Sequence, residues 1–226
     1  YEAGDSSLKG LWHLDEKSTG ATAVTRKDSS GNGNNLTDNN TVTSTQGKIG
    51  TAGQFTRANS EGLYITDNAS VSVGDEDFTN AAWVNLDSKV GNDYIINRGD
   101  DAGIFFETAS DRFKFRVTGG IQATADNLGS PALGTWYFIV GWHDSVNNQI
   151  GIQVNNGAAN TTSHSAGVTD NNTVLAIGAY DSVPNHTFNG RLDEVMFLKK
   201  ILTPDERRQL FEIGKRTHQI TNDFVT

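Results

Sequence analysis

The sequence predicts an all-β domain of antiparallel strands with a single helix near its C-terminal end, on three observations. Apolar runs of five to nine residues alternate with Gly, Asn and Asp from "GLWHLD" onward, the spacing of a sandwich or barrel. Composition agrees, because 24 Gly against 3 Pro and 1 Met suits many short strands joined by tight turns. Only "LTPDERRQLFEIG" carries helix start and stop signals. A chain of 226 residues with 35% hydrophobic residues can bury one well-sized core, so a single domain is expected.

In chain order, residues 1–9 read as a flexible lead-in and "GLWHLDE" as the first strand. "AAWVNL", "YIINR", "GIFFE", "WYFIVGW", "VLAIGAY" and "DEVMFL" are continuously apolar. Such runs suit strands covered on both faces, as in the middle of a two-sheet sandwich. "DRFKFRV" alternates instead: Phe113, Phe115 and Val117 face a core, while Arg112, Lys114 and Arg116 face water. "NQIGIQVNNG" repeats that pattern, and its Asn156-Gly157 pair tolerates the positive φ of a hairpin turn. The predicted helix covers about 203–213, with Thr203 as N-cap, Pro204 in the first turn, Glu206 completing a capping box and Gly214 as the stop. Residues 215–226 read as a tail.

The formal charge of -9 argues against a nucleic-acid-binding protein, since contacts to the phosphate backbone need clustered Lys and Arg and no run of them exceeds two, and it disfavours an anionic membrane. No window approaches eighteen consecutive apolar residues, so no membrane insertion is expected. With no Cys, disulfides and thiolate metal sites are impossible. No two of His13, His143, His164, His186 and His218 lie closer than 21 residues, so no local zinc-ligand pair exists. Neither E-x-D-x-E nor E-x-D-x-x-E occurs, Glu107 stands alone on its run, and "GDEDF" reads as a loop. A one-strand glycosidase dyad is therefore absent.

Eight pieces in order, "GLWHLDE", "DSSGNGNNLT", "GKIGTAGQFTRANSEGLYI", "FTNAAWVNL", "GTWYFIVGWHD", "IQVNNG", "LAIGAY" and "FNGRLDEVMFLKKILTPDE", resemble the laminin-G-like jelly-roll domains of the concanavalin A-like lectin and glucanase superfamily. The resemblance implies a two-sheet antiparallel sandwich (jelly roll) with one short terminal helix over residues 10–214. It says little about ligand, because this fold carries adhesins, lectins, accessory modules and enzymes.

Two places invite chemistry. The loop "DSSGNGN" offers carboxylate, amide and carbonyl oxygens of the kind calcium takes; the same residues are also what any tight turn uses. The resemblance implies a structural calcium tying the N-terminal segment to the late strand, where Asp193 matches the metal-binding position. The ligands expected on that reading are Asp28, Asn32, Asp193 and Asp15, the last chosen over Glu16 because it directly follows the apolar run. Most aromatic residues sit inside strand runs and read as core. Tyr180 is the exception, at the end of a strand opening into a loop with Pro184 and Asn185, and it is the residue expected to contact glycan. The expected function is a non-catalytic extracellular or cell-surface module that binds a glycan or a surface protein. A self-assembling subunit of a filament, appendage or viral particle is the alternative, and a glycoside hydrolase the second.

Overall fold

The computed structural model describes residues 5–183 and 185–220, with the backbone alone for 216–220. In these residues the strands are β1 (Leu8–Trp12), β2 (Thr37–Asn39), β3 (Thr43–Gln46), β4 (Thr51–Phe55), β5 (Gly62–Ile65), β6 (Phe78–Leu86), β7 (Asp93–Arg98), β8 (Ala102–Glu107), β9 (Arg112–Val117), β10 (Ile121–Thr124), β11 (Trp136–Asp144), β12 (Gln149–Val154), β13 (Asn160–Ser163), β14 (Leu175–Ile177) and β15 (Gly190–Leu198). They are followed by the helix α1 (Pro204–Ile220). One sheet runs β13-β12-β11-β6-β15-β4-β3, with β1 pairing the C-terminal half of β15 beside β4. The other runs β10-β9-β8-β7-β14-β5-β2.

Between the sheets lies one core, including fully buried Phe55, Phe106, Phe113, Phe115, Phe188 and Phe197. Each such side chain contributes about 1.5–3 kcal/mol relative to exposure. The alternation in β9 holds for Phe113, Phe115 and Val117. Lys114 departs from it, being nearly buried, because its ammonium is held by Glu107 at 2.5 Å and Gln122 at 2.9 Å.

A sandwich covers one face of each sheet, yet every residue of β6 is buried. Its inward residues Phe78, Ala82, Val84 and Leu86 enter the shared core. Its outward residues Ala81 and Trp83 belong to a second apolar cluster with Phe138, Trp142, Met196 and Leu210 of α1. The second cover is thus the helix, with Phe211 stacked on Trp83 at 5.8 Å.

The capping box forms as expected: Glu206 N–H donates to Thr203 Oγ1 at 3.2 Å, and Thr203 N–H to Glu206 Oε2 at 2.8 Å. Gly214, however, does not stop the helix, which continues to Ile220 into the predicted tail. A Cβ at Gly214 would lie 2.5 Å from the Trp83 indole, so glycine is there for close approach. Gly214→Ala should therefore lower stability by about 1–3 kcal/mol in thermal melts, although helix propensity alone would favour Ala by about 1 kcal/mol.

Three other local expectations change. The tight turn after β12 has Asn155 (φ 50) and Asn156 (φ 57) at its centre, closed by Gly157 N–H to Val154 O at 2.9 Å, so the left-handed pair lies one residue before Asn156-Gly157. β1 begins at Leu8, inside the predicted lead-in, because Leu8 pairs with Leu198 and packs in the second cluster. It ends at Trp12, and Leu14 takes φ 59, so Asp15 and Glu16 are not on a strand and diverge. Residues 1–4 of the lead-in, 221–226 of the tail and Pro184 lie outside the described residues. Among the described residues no helix is long and apolar enough to cross a membrane.

Candidate functional site

At one end of the seven-stranded sheet, around β14, a cleft of about 530 Å³ opens between three segments. The β7–β8 turn contributes Asp100, the segment before β14 contributes Asn171, Asn172 and Thr173, and the segment after it contributes Tyr180 and Asp181. Each wall is pinned from inside. The buried Asp101 carboxylate accepts from Asn171 N–H at 3.2 Å, from Thr173 Oγ1 at 2.9 Å and from the Asn171 side-chain amide. Arg98, also buried, pairs with Asp67 at 2.8 Å and Asp170 at 3.3 Å. The Asn97 amide donates to the carbonyls of Gly99 at 3.0 Å and Tyr180 at 2.7 Å. That amide needs Gly103 opposite it, where a Cβ would stand 2.1 Å from Asn97 Oδ1.

Tyr180 is set by contacts on several sides. Its ring meets Tyr94 edge to face at 5.1 Å, and the Arg116 guanidinium lies 5.9 Å from its centroid. Its hydroxyl donates to Asp100 Oδ1 at 2.7 Å, an oxygen that also receives Arg116 at 3.1 Å. Burial first, and then the hydrogen bond to Asp100, push the phenol up to about 12. Beneath it Tyr94 and Phe105 stack at 5.1 Å, with Arg116 over both. A fixed, partly exposed aromatic ring beside carboxylate and amide groups suits a polyhydroxylated ring: apolar contact for C–H faces, acceptors and donors for hydroxyls.

Of this cluster the sequence pointed only to Tyr180. Tyr94 and Phe105 were hidden because their continuously apolar strands imply cover on both faces, and Arg116 because alternation says only that it points outward. The missing signal is which residues cover the outer face of β7 and β8, and those come from positions 100, 116 and 180.

The other predicted residues separate into two places. Asp28 Oδ1 accepts from Leu11 N–H at 3.1 Å and Ser30 N–H at 2.8 Å, and Oδ2 from Ser30 Oγ at 2.8 Å and Asn34 N–H at 2.9 Å. All four lone-pair positions of the carboxylate are thus engaged in ordering the loop and docking it on β1. The Asn32 amide donates to Leu8 O at 2.8 Å and Ser30 Oγ at 3.0 Å, serving the same loop.

Asp193 lies elsewhere, at a bulge of β15 facing outward beneath the 47–50 turn. Its Oδ2 accepts from Lys48 N–H and Ile49 N–H, both at 2.8 Å, while Oδ1 is buried without a hydrogen-bond partner. Burial chiefly, opposed by those N–H groups and reinforced by the charge of Glu194, holds this carboxyl up at about 7. Asp15 and Glu194 line an adjacent cleft with His13, whose Nδ1 is 2.8 Å from Glu194 Oε1. That hydrogen bond raises the imidazole's pKa against the opposing effect of burial. Glu16 turns away, accepting from Lys27 N–H at 2.6 Å. Among the described residues no three His, Asp or Glu side chains are gathered as a ready metal-holding group.

For catalysis, Glu107 is the acid that the sequence isolates. Burial works upward on it, but hydrogen bonds from Lys114 and Ser110 outweigh this and leave it below the usual carboxylate range. A glycosidase general acid needs the opposite shift.

Residues 57–206 match the family model Laminin_G_3, described as the concanavalin A-like lectin/glucanases superfamily. No curated protein matches the sequence. Among solved structures, the binding domain of Paraclostridial Mosquitocidal Protein 1 superposes with TM-score 0.70 at 18% identity, over 91% of this chain and 52% of that one. Domain 4 of AbnA, a GH43 extracellular arabinanase from Geobacillus stearothermophilus in complex with arabinotriose, gives TM-score 0.67 at 16% identity over 90% and 98%. Trypanosoma rangeli sialidase gives 0.63 at 13% identity over 95% and 34%. The chain thus spans about half of the mosquitocidal binding domain, a third of the sialidase and nearly all of the arabinanase domain. At these identities the likeness is one of fold.

Proposed function

From the premise that this chain belongs to the concanavalin A-like lectin/glucanases superfamily, we propose that it is a non-catalytic, extracellular or cell-surface recognition module that binds glycan in the Tyr180 cleft. The observation that carries the reading is the ring of Tyr180, held by Tyr94, Asp100 and Arg116 at a cleft edged with Asn171 and Asn172. The solved arabinotriose complex of an arabinanase domain with this fold supports the ligand class. Charge narrows it. Asp100 and Asp181 line the cleft and the chain carries -9 overall, so neutral sugars are favoured over anionic ones.

Calorimetric titration with neutral oligosaccharides, arabino-oligosaccharides among them, tests this. Tyr180→Ala should weaken binding by about ten- to a hundredfold, as loss of a stacking anchor of about 1.5–3 kcal/mol would. Tyr180→Phe should keep most of it. Equal binding by wild type and Tyr180→Ala would move the site elsewhere.

A structural calcium is part of the same reading, in a narrower form than the sequence suggested. Asp193 Oδ1 is a buried carboxylate oxygen with no partner, and Asp15, Glu194 and the 49–51 backbone lie at the neighbouring cleft. This oxygen-rich set suits a hard cation. Asp28 and Asn32 order their own loop instead of supplying ligands.

A further inference from the structure

The β12–β13 hairpin brings together two histidines that are 21 positions apart in sequence. His143 pairs with Ile150 at the end of β11, and His164, just past β13, donates its N–H to Asn148 O at 2.7 Å. Both side chains are buried, with ring centroids 5.5 Å apart in an edge-to-face arrangement. His143 Nδ1 lies 2.8 Å from the carbonyl of Glu76, a contact it can make only as an N–H donor. In the neutral ring the lone pair is therefore on Nε2.

That Nε2 has no hydrogen-bond partner, and the His164 nitrogens have none of full strength, the Thr118 backbone being only a weak contact. Nor is Nε2 in a neutral setting, because Asp75 Oδ1 stands 3.8 Å away. A lone pair facing a carboxylate is repulsive, and buried polar atoms without partners are rare enough to need an explanation. A cation between the two removes both difficulties. Two ligands on one tetrahedral zinc at about 2.0–2.1 Å stand about 3.4 Å apart, against 3.8 Å between His143 Nε2 and Asp75 Oδ1 here. A backbone carbonyl on the far nitrogen is also the usual support of a metal-bound imidazole.

Asp75 sits at the mouth of this pair with 63% of its side chain exposed. The backbone of Gly167, at φ +73, presses against it so closely that a Cβ there would be 2.8 Å from the Asp75 carboxyl carbon.

We propose that His143, His164 and Asp75 form a binding site for a divalent transition-metal ion of the zinc class, with the two imidazoles as inner ligands and Asp75 closing the solvent side. Without the ion the three are not drawn up as a closed ligand set; Asp75, with 63% of its side chain exposed, is the member that closes on the ion when it binds. Burial, followed by the charge of His143, lowers the pKa of His164, with Asp75 and the Thr118 backbone opposing. Imidazole donors separate this site from the oxygen-rich surroundings of Asp193, which suit calcium.

The test is calorimetric titration of chelator-stripped protein with zinc chloride alone, with melting curves in parallel. Wild type should bind one equivalent and melt at higher temperature with zinc, and a large excess of calcium should not displace it. Affinity should fall by more than tenfold in both His164→Gln and Asp75→Asn. Asp75→Asn alters an exposed side chain, so it carries the test even if His164→Gln does not fold. Absence of a saturable equivalent in wild type, or wild-type affinity in Asp75→Asn and in folded His164→Gln, would overturn the proposal and assign any uptake to surface histidines such as His13.

Discussion

Replacing Arg26 by alanine should lower the unfolding free energy by about 3–5 kcal/mol, the range for breaking a buried ion pair by removing one partner. Arg26 is 0% exposed and holds three segments at once. Its guanidinium pairs with buried Asp38 at 3.4 Å and donates to the carbonyls of Val42 and of Glu16, the latter at 3.0 Å. Asp38 keeps two backbone donors, Val42 N–H at 2.9 Å and Val24 N–H at 3.4 Å, but loses the countercharge of Arg26 in the variant. Urea melts of Arg26→Ala, Asp38→Asn and the double variant measure the coupling. The double variant should be less destabilised than the sum of the singles, because removing both charges leaves neither stranded. A loss below about 1 kcal/mol in Arg26→Ala would mean that water reaches the site and the pair is not a buried hub.

In calcium-free buffer the wild type should lose stability between about pH 4 and pH 8, and Asp193 should be the cause. The folded-state pKa, about 7, lies above the ordinary 3.8. A group raised in this direction contributes stability that is fully present below the unfolded value and is lost as pH rises through the folded one. Three pKa units correspond to at most about 4 kcal/mol. Asp193→Asn keeps an oxygen for Lys48 N–H and Ile49 N–H without the buried charge. It should therefore melt higher than wild type at pH 8 in chelator, with a flatter pH profile.

Calcium should reverse that order. Binding only the folded wild type, it adds about 2.7 kcal/mol at a hundredfold excess over Kd. The amide variant should not respond, and Asp28→Ala should respond as wild type does while losing loop hydrogen bonds. A wild-type melting temperature that is constant with pH and indifferent to calcium would refute both the raised carboxyl and the ion.

What the sequence determined by itself was whatever depends on neighbours a few residues apart. The alternation of Phe113, Phe115 and Val117 in "DRFKFRV" and the Thr203–Glu206 capping box are local, since side-chain direction and backbone hydrogen bonds repeat every two to four residues. Family order extended this to the sandwich. Partners were another matter. Asp28 and Asp193 carry similar chemistry on paper, yet one saturates its oxygens with donors from its own loop and from β1 and the other is buried with an oxygen bare. Gly214 reads as a helix stop and acts as a gap for Trp83, because an indole 131 positions earlier lies against it. His143 with His164, Arg26 with Asp38, and Tyr180 with Tyr94, Asp100 and Arg116 were likewise decided by strand order and register. Sheet pairing joins residues at any separation, and the free energy of a buried polar group depends on the atoms packed against it far more than on its neighbours in the chain.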